Sequence, residues 1–303
     1  MSLIRGAIPV VPTVFNDEHE LDCAGQRRVV DFLVDARSAA ICAMANYSEQ
    51  FSLTDTERDV VVETTIDQAA GRIPVCVATS HYSARVAAER SRRAQEQGAA
   101  LVMLMPPFVG ASVTVDERGV VEYFTRVAEA IDIPIMIQDA PMSPTPLSAE
   151  LLARLARTIP HVQYAKIEVA HAADKIRRVH QMAGEDMPGL YDGEEAVTLI
   201  PDLLAGAQGT MSSSMIPEIL AEAIRLFHDG ERDAAQGVWE DALPLIQFEN
   251  RQCGLRATKI LLKEGGIIGS DATRSPMRTV HPDTRVQLIE LAKRKNALIL
   301  RWA

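Results

Sequence analysis

The 303-residue chain has few cysteines, no cluster of basic residues and no long apolar run. Its four cysteines, Cys23, Cys42, Cys76 and Cys253, form no CxxC pair and no Cys/His group with zinc spacing, which argues against a zinc site and favours a reducing compartment. The apolar runs have the length of single β-strands and fall short of the roughly 20 residues that a membrane span needs. Residues 1–6 lack the apolar stretch of a signal peptide. We therefore expect a cytoplasmic protein without a membrane partner.

The basic residues are scattered along the chain rather than grouped. There are 31 lysines and arginines against 41 acidic residues, which gives a formal net charge of −10. Proteins that bind nucleic acid concentrate basic residues on one surface, so we expect no nucleic-acid partner. No GxGxxG motif or P-loop follows the first predicted strand, which weakens the case for a doubly wound nucleotide-binding sheet. No metal ion or organic cofactor is expected.

Short apolar runs alternate with longer amphipathic stretches. Eight predicted strands start mostly about 25 to 35 residues apart, which is the period of a βα unit. They cover residues 7–15, 39–45, 73–79, 100–106, 133–139, 162–168, 189–192 and 207–212. Eight such units make a (β/α)8 (TIM) barrel of about 250 residues. We therefore predict an α/β fold with a barrel over residues 1–230 and a C-terminal helical extension over residues 231–303.

Capping residues mark several of the predicted helices. Thr54 with Glu57 three residues later predicts a capping box. The helix over residues 83–98 is expected to end at Gly98, and the helix over residues 148–159 to begin at Ser148. Further helices are predicted over residues 216–228, 231–248, 251–263 and 282–300.

Lys166 lies within the predicted strand 162–168, although a buried strand of an α/β protein should be nearly all apolar. Burial disfavours an ammonium ion and lowers the pKa of a lysine, which lets the amine attack a ketone and form a Schiff base. A lysine at a strand end could instead snorkel or pair with Glu168. Because side chains alternate along a strand, Lys166 and Glu168 should share a face. There Glu168 could move protons, hold the lysine's charge, or simply be solvated.

Polar residues also occur at the C-terminal ends of most other predicted strands, where barrel enzymes carry their active sites. They are Asn46, Tyr47 and Ser48 after the second strand, His81 after the third, Gln138 and Asp139 at the fifth, Gly193 after the seventh and Ser212 at the eighth. Each has a structural alternative. Asn46 and Asp139 could be turn residues, His81 a loop histidine, and the serines at 212–214 a helix N-cap.

Taken together, these residues resemble those of the pyruvate-type class I aldolases, the dihydrodipicolinate synthase and N-acetylneuraminate lyase superfamily, over essentially the whole chain. Members are (β/α)8 barrels with a helical C-terminal extension, and they are usually tetramers. Their Schiff-base lysine on the sixth strand corresponds to Lys166. Their Gly-Thr-Thr-Gly-Glu loop, which holds the keto-acid carboxylate, corresponds to residues 45–49. The resemblance implies that Asn46, Tyr47 and Ser48 bind that carboxylate and that the chain forms a homotetramer.

Departures from the family pattern narrow the implied activity. Gln138 replaces the proton-relay tyrosine of dihydrodipicolinate synthase, Asn46 replaces its threonine partner, and Ser143 stands near the place of the arginine that binds a second carboxylate. The motifs at residues 45–51, 79–83, 138–141, 166–168 and 248–252 are similar to those of one branch, which dehydrates L-2-keto-3-deoxyarabonate. This branch implies a lyase of L-arabinose catabolism that takes a small 2-keto-3-deoxy sugar acid and yields 2-oxoglutarate semialdehyde.

The branch resemblance also implies roles for the site residues. Lys166 would form the imine, Glu168 and Tyr47 would transfer protons, and Gln138 and His81 would contact the C4 and C5 oxygens. A proton relay through water is an equal alternative, because the tyrosine of the family is absent. The remaining predicted substrate-binding residues are Asp139, Gly193 and Ser212. Two alternatives stay open: an aldolase of the same fold that cleaves the C3–C4 bond to give pyruvate and glycolaldehyde, and a non-catalytic barrel that binds a keto acid.

Overall fold

A computed structural model describes residues 3–303 of the chain. The strands are β1 (Gly6–Ala7), β2 (Ile41–Ala43), β3 (Val75–Ala78), β4 (Leu101–Leu104), β5 (Ile135–Asp139), β6 (Val162–Ile167), β7 (Gly189–Asp192) and β8 (Gly209–Thr210). They form one eight-stranded sheet in the order β1-β8-β7-β6-β5-β4-β3-β2. Val10 makes parallel bridges to both Cys42 and Ser213. This order, with a helix after each strand, confirms the predicted (β/α)8 barrel.

The helices follow the strands in the expected alternation. They are α1 (Cys23–Asp35), α2 (Asp55–Ala69), α3 (Ala84–Gln97), α4 (Glu117–Ala128), α5 (Ala149–Thr158), α6 (Ala172–Ala183), α7 (Leu199–Leu204), α8 (Pro217–His228), α9 (Arg232–Phe248), α10 (Arg256–Glu264) and α11 (Pro282–Arg294). Thr54 and Glu57 form the predicted capping box at α2. Gly98 ends α3 in the left-handed region, and the Ser148 side chain accepts from Leu151 N at the start of α5. These local predictions are confirmed.

Several predicted elements differ from the structure in their bounds. The helix predicted over residues 282–300 ends at Arg294, and a separate 3-10 turn spans Leu298–Leu300. The strand predicted over residues 7–15 is reduced to β1 and the Val10 bridges, because Pro9 and Pro12 have no N–H to donate to a neighbouring strand. The helix predicted over residues 251–263 is wrong at its start. A π-helix spans Glu249–Cys253, and Gly254, at φ +58°, separates it from α10.

The described residues group into two compact units. The first comprises residues 3–5, 76–194 and 198–211, and therefore holds β4 to β8. The second comprises residues 6–75, 195–197 and 212–303, and holds β1, β2 and the C-terminal helices. The predicted boundary at residue 230 stays a prediction. Between residues 3 and 303, no helix combines the length and apolar character needed to cross a membrane.

The strands of the first unit are buried along nearly their whole length, as strands of a parallel sheet covered on both faces should be. Most of their residues are apolar, including those of β4 and the first three of β5. Gln138 on β5 and Lys166 on β6 are among the buried polar exceptions, with Asp139, Asp192 and Thr210. Buried polar groups need partners. The side chains of Lys166 and Gln138 should therefore have polar neighbours within the sheet.

Candidate active site

Lys166 lies on β6, in register with Gln138 on β5 and Tyr191 on β7. It is only 4% exposed, and its Nζ lies 3.1 Å from Oε1 of Glu168. The shared face predicted for these two residues is therefore present. A buried amine beside a carboxylate can give up its proton locally, and the resulting neutral amine is a nucleophile. The arrangement suits attack on a carbonyl carbon.

Glu168 follows directly after β6, and its side chain is 15% exposed rather than fully solvated. The Gln138 amide donates from Nε2 to Glu168 Oε1 over 2.8 Å, so one carboxylate oxygen serves both Lys166 and Gln138. A carboxylate only accepts hydrogen bonds, which fixes the orientation of the Gln138 amide. Gln138 Oε1 is then turned away from Glu168, and this buried atom has no hydrogen-bond partner within residues 3–303. A hydroxyl of a bound substrate could donate to it.

Gly193, directly after β7, makes room for Glu168. Its N–H donates to Ile167 O over 3.1 Å. A Cβ built at this position would lie 2.0 Å from Glu168 Cγ, which is far inside van der Waals contact. The absence of a side chain here thus sets where the Glu168 carboxylate can lie. A direct contact between Gly193 and substrate stays a prediction.

Gly193→Ala is expected to displace Glu168 and lower kcat by about 100-fold, since a misplacement of about 1 Å in a reacting group can have that effect. The φ of Gly193 is outside the left-handed region, so the substitution acts by crowding rather than by backbone strain. Gly237→Ala is the matched control, because nothing lies within 4 Å of a Cβ built there. Steady-state kinetics of both variants, with circular dichroism as a check on folding, test this. Equal kcat values for the two variants would contradict the role of Gly193.

Asp139, the last residue of β5, is held by a lysine that sequence analysis did not identify. Lys175 on α6 donates to Asp139 Oδ2 and to the Leu147 carbonyl. Burial raises the pKa of Asp139 above its ordinary value, while the charge of Lys175 acts in the opposite direction. The Asp139 carboxylate therefore ties the end of β5 to α6. Its predicted contact with substrate stays a prediction, and any such contact would compete with Lys175.

The second unit contains the turn that follows β2. Asn46–Ser48 form a single 3-10 turn, in which Asn46 and Tyr47 are half-buried and Ser48 is buried. The Ser48 hydroxyl donates to Val11 O over 2.6 Å, and its N–H donates to Ala45 O over 3.0 Å. Both donors of Ser48 are thus used within the fold. Asn46 Oδ1 accepts from Gln50 Nε2 over 2.8 Å, which fixes the Asn46 amide.

His81 and Ser212 each contact a backbone atom of a residue close to them in sequence. His81 is exposed in the first unit, and its Nδ1 accepts from Ser83 N over 3.0 Å. Ser212 is buried in the second unit, where its hydroxyl contacts Ser213 O over 3.2 Å. Of the sequence-predicted residues, Lys166, Glu168 and Gln138 are directly linked by hydrogen bonds or ion pairs, and Gly193 packs beside them.

A pair of buried carboxyl groups in the second unit was not predicted as a site. Ser213 joins them: its hydroxyl donates to Glu249 Oε2 over 2.9 Å, and its N–H donates to Glu195 Oε2. Burial raises the pKa of Glu249 well above its ordinary value, and the neighbouring Glu195 raises it further. Burial also raises the pKa of Cys253 to about 11. Burial therefore favours the protonated form of both groups, and a protonated thiol is a poor nucleophile.

The raised pKa of Glu249 makes stability depend on pH. As pH rises above the ordinary carboxyl range, the unfolded chain loses this proton while the folded chain keeps it. The free energy of unfolding should therefore fall as pH rises through this range. Glu249→Gln, which cannot titrate, is expected to unfold at a higher temperature than the natural chain at about pH 8 and to lose less stability between about pH 5 and pH 8.

Thermal unfolding across this pH range measures the effect of Glu249→Gln. Glu194→Gln is the matched control, since Glu194 is exposed and lies beside Glu195 in sequence. The control should reproduce the pH dependence of the natural chain. A Glu249→Gln variant with that same pH dependence would show that Glu249 does not carry the proton in the folded state.

The chain is similar to known proteins in both sequence and fold. The model of the dihydrodipicolinate synthetase family matches residues 3–295. An L-2-keto-3-deoxyarabonate dehydratase of Azospirillum brasilense is 50% identical over 299 residues, which cover 99% of this chain and 97% of the relative. A 4-hydroxy-tetrahydrodipicolinate synthase of Nitrosococcus oceani is 28% identical over 98% of this chain and all of the relative. The crystal structure of dihydrodipicolinate synthase from Aquifex aeolicus superposes with a TM-score of 0.89 at 25% identity, over 97% and 98% of the two chains.

Proposed function

Because the chain belongs to the dihydrodipicolinate synthetase family, we propose that it is a Schiff-base-forming lyase that dehydrates L-2-keto-3-deoxyarabonate to 2-oxoglutarate semialdehyde. The observation that carries this proposal is the buried Lys166 amine, 3.1 Å from Glu168 and joined through it to Gln138. The 50% identity to a dehydratase supports the choice of substrate. Gln138, where dihydrodipicolinate synthase has a tyrosine, supports a reaction other than dihydrodipicolinate synthesis.

In the proposed reaction, the neutral Lys166 amine attacks the C2 ketone, and loss of one water gives a protonated imine. The imine cation withdraws electrons and makes the C3 hydrogens acidic. A base removes one of these protons and an enamine forms. The enamine then expels the C4 hydroxyl, which leaves as water after it takes up a proton. Isomerisation converts C5 into an aldehyde, and hydrolysis of the imine releases the product. The net change is the loss of one water.

Glu168 is the proposed proton-transfer group. Its Oε1 contacts Lys166 Nζ, so it can accept the proton that the ammonium must lose before attack. The same carboxylate lies beside the atom at which the imine forms, and from there it can move a proton at C3 or at the C4 oxygen. General acid–base catalysis of this kind contributes about 100- to 10,000-fold. Tyr47 is retained as a second proton-transfer candidate on the basis of family correspondence.

Binding roles follow from the same correspondence. Asn46 and Tyr47 are proposed to bind the C1 carboxylate, while Ser48, whose donors are bonded to Val11 and Ala45, holds the turn. Gln138 Oε1 is proposed to accept from the C4 hydroxyl, which would give this buried oxygen the partner it otherwise lacks among the described residues. His81 is retained for the C5 oxygen. Asp139, Gly193 and Ser212 remain candidates for the substrate surroundings.

A proton NMR time course with L-2-keto-3-deoxyarabonate, without a coupling enzyme, tests the function. Signals of 2-oxoglutarate semialdehyde are the expected result. Pyruvate and glycolaldehyde would instead make the enzyme an aldolase of the same fold. No turnover, together with no imine trapped by borohydride, would favour a keto-acid-binding barrel.

The proposal extends to the setting of the reaction. We propose that the enzyme acts in cytoplasmic catabolism of L-arabinose, and the 50% identity to an L-2-keto-3-deoxyarabonate dehydratase is the support for this setting. We also propose a homo-oligomer, a tetramer by family resemblance. Analytical ultracentrifugation of the full chain would measure the assembly state directly.

A further inference from the structure

Glu49 ends the turn proposed to bind the substrate carboxylate, and its backbone is strained. Its φ of 56° and ψ of 35° lie in the left-handed region, which residues with a side chain seldom adopt. Such conformations persist where the surrounding structure fixes them, and they are frequent at ligand clamps. The surroundings of Glu49 should therefore show what keeps this turn in place.

Both carboxylate oxygens of Glu49 are bound by groups near the C-terminus. Lys259 on α10 pairs with Oε1, and Arg274 N donates to Oε2 over 3.0 Å. Lys259 Nζ also donates to Ala272 O over 2.8 Å, which connects α10 to the segment that carries Arg274. The side chains of Lys259 and Glu49 are 0% and 1% exposed. Two donors that are more than 200 residues away in sequence thus hold one buried carboxylate.

Arg274 extends the same network to residues that follow the turn. Its guanidinium pairs with Glu57, the capping residue of α2, and donates to Ser52 O over 2.9 Å. The cations of Lys259 and Arg274 lie 4.4 and 4.5 Å from the ring centroid of Phe15. A buried ion pair is weak grounds for stability, since its desolvation opposes its attraction. A role in fixing one conformation explains its presence here better.

We infer that Lys259 is a positioning residue that holds the Asn46–Ser48 turn in its carboxylate-binding conformation through Glu49. The inference rests on the proposed function, in which this turn binds the C1 carboxylate. It assigns to α10 and the following segment a part in substrate affinity rather than in the chemical steps. The Lys259 ammonium is bonded to Glu49 and Ala272 O, so it serves as a fixed cation and not as the nucleophile.

Borohydride trapping of the imine with pyruvate tests this inference, because pyruvate has the C1 carboxylate and the C2 ketone but no further hydroxyl. Lys259→Met and Glu49→Gln are each expected to raise the half-saturating pyruvate concentration by about tenfold or more, since each leaves a buried charge without its partner. The maximal amount of trapped enzyme per folded chain should not change. KM for the sugar acid should rise by the same factor, while kcat and its pH dependence should stay close to those of the natural chain.

The double variant Glu49→Gln/Lys259→Met keeps the test decisive if a single variant folds poorly, because it removes both buried charges together. Partners in one ion pair are not additive, so its half-saturating concentration should not exceed that of the worse single variant. Lys263→Met is the matched control. Lys263 lies one turn further along α10, is 39% exposed and pairs with Asp271 over 2.9 Å. The control should behave as the natural chain does.

Three results would overturn the inference. One is a reduced amount of trapped enzyme at an unchanged half-saturating concentration, which indicates a purely structural role. Another is additive losses in the double variant. The third is a loss of kcat or a shifted pH profile at unchanged KM. Failure of the proposed function is a separate outcome, in which the natural chain traps no imine or NMR shows a different product.

Discussion

Lys166→Ala is expected to abolish imine formation and to lower kcat/KM by at least about 1,000-fold, the scale seen when a covalent nucleophile is removed. Lys166 is the buried amine beside Glu168, and alanine leaves no group that can attack C2. Mass spectrometry after borohydride reduction measures the adduct, and proton NMR measures turnover. The adduct should map to the peptide that contains residue 166 in the natural chain and be absent from the variant.

Lys166→Arg is a second variant that keeps the charge at this position but removes the nucleophile. Arginine keeps a positive charge near Glu168 and Gln138 but does not form an imine with a ketone, because it stays protonated. Its activity should be as low as that of Lys166→Ala, whereas its folding should be closer to that of the natural chain. Full turnover by either variant, or an adduct that persists on another lysine, would show that the mechanism proposed for Lys166 is wrong.

Glu168→Gln is expected to lower kcat by about 100- to 10,000-fold, the usual contribution of one acid–base group. The amide keeps the size of the side chain and can still accept from Gln138 Nε2. It cannot take the proton that Lys166 must lose, nor deliver one to the leaving hydroxyl. Steady-state kinetics and single-turnover trapping, followed in the same preparation, separate imine formation from elimination.

Asp139→Asn is the control variant for Glu168→Gln. Asp139→Asn removes a carboxylate of the same unit that is already paired with Lys175, so it should reduce kcat much less than Glu168→Gln does. An elimination rate in Glu168→Gln equal to that of the natural chain would mean that water or Tyr47 carries the proton instead.

The prediction of Lys166 and Glu168 on one face needed only the alternation of side chains along β6. The caps of α2 and α5 could also be predicted from the sequence, because Thr54, Glu57 and Ser148 interact with residues within four positions of themselves. Such features depend on local geometry, which sequence spacing specifies directly. The barrel followed from the repeated spacing of the strands, and the roles of the site residues came from family resemblance.

The partners of several charged residues could not be obtained from spacing. Glu49 and Lys259 are 210 positions apart, and Glu249 and Ser213 are 36 apart. Their pairing depends on how the C-terminal helices pack, which no local pattern specifies. One signal was available for Lys259: it precedes Ile260, Leu261 and Leu262 within α10. A lysine in the apolar part of a helix suggests a buried partner, although it does not identify Glu49.

The orientation of the Gln138 amide has a consequence for product release. In the proposed substrate complex, the C4 hydroxyl donates to Gln138 Oε1, an atom that lacks a partner among residues 3–303. 2-Oxoglutarate semialdehyde has no hydroxyl at C4, so after elimination this oxygen is unsatisfied again, at a cost of about 1–3 kcal/mol. The same atom that favours capture of the sugar acid thus favours departure of the semialdehyde. In this proposal, dehydration itself lowers the affinity of the enzyme for its product, which limits inhibition by accumulated product.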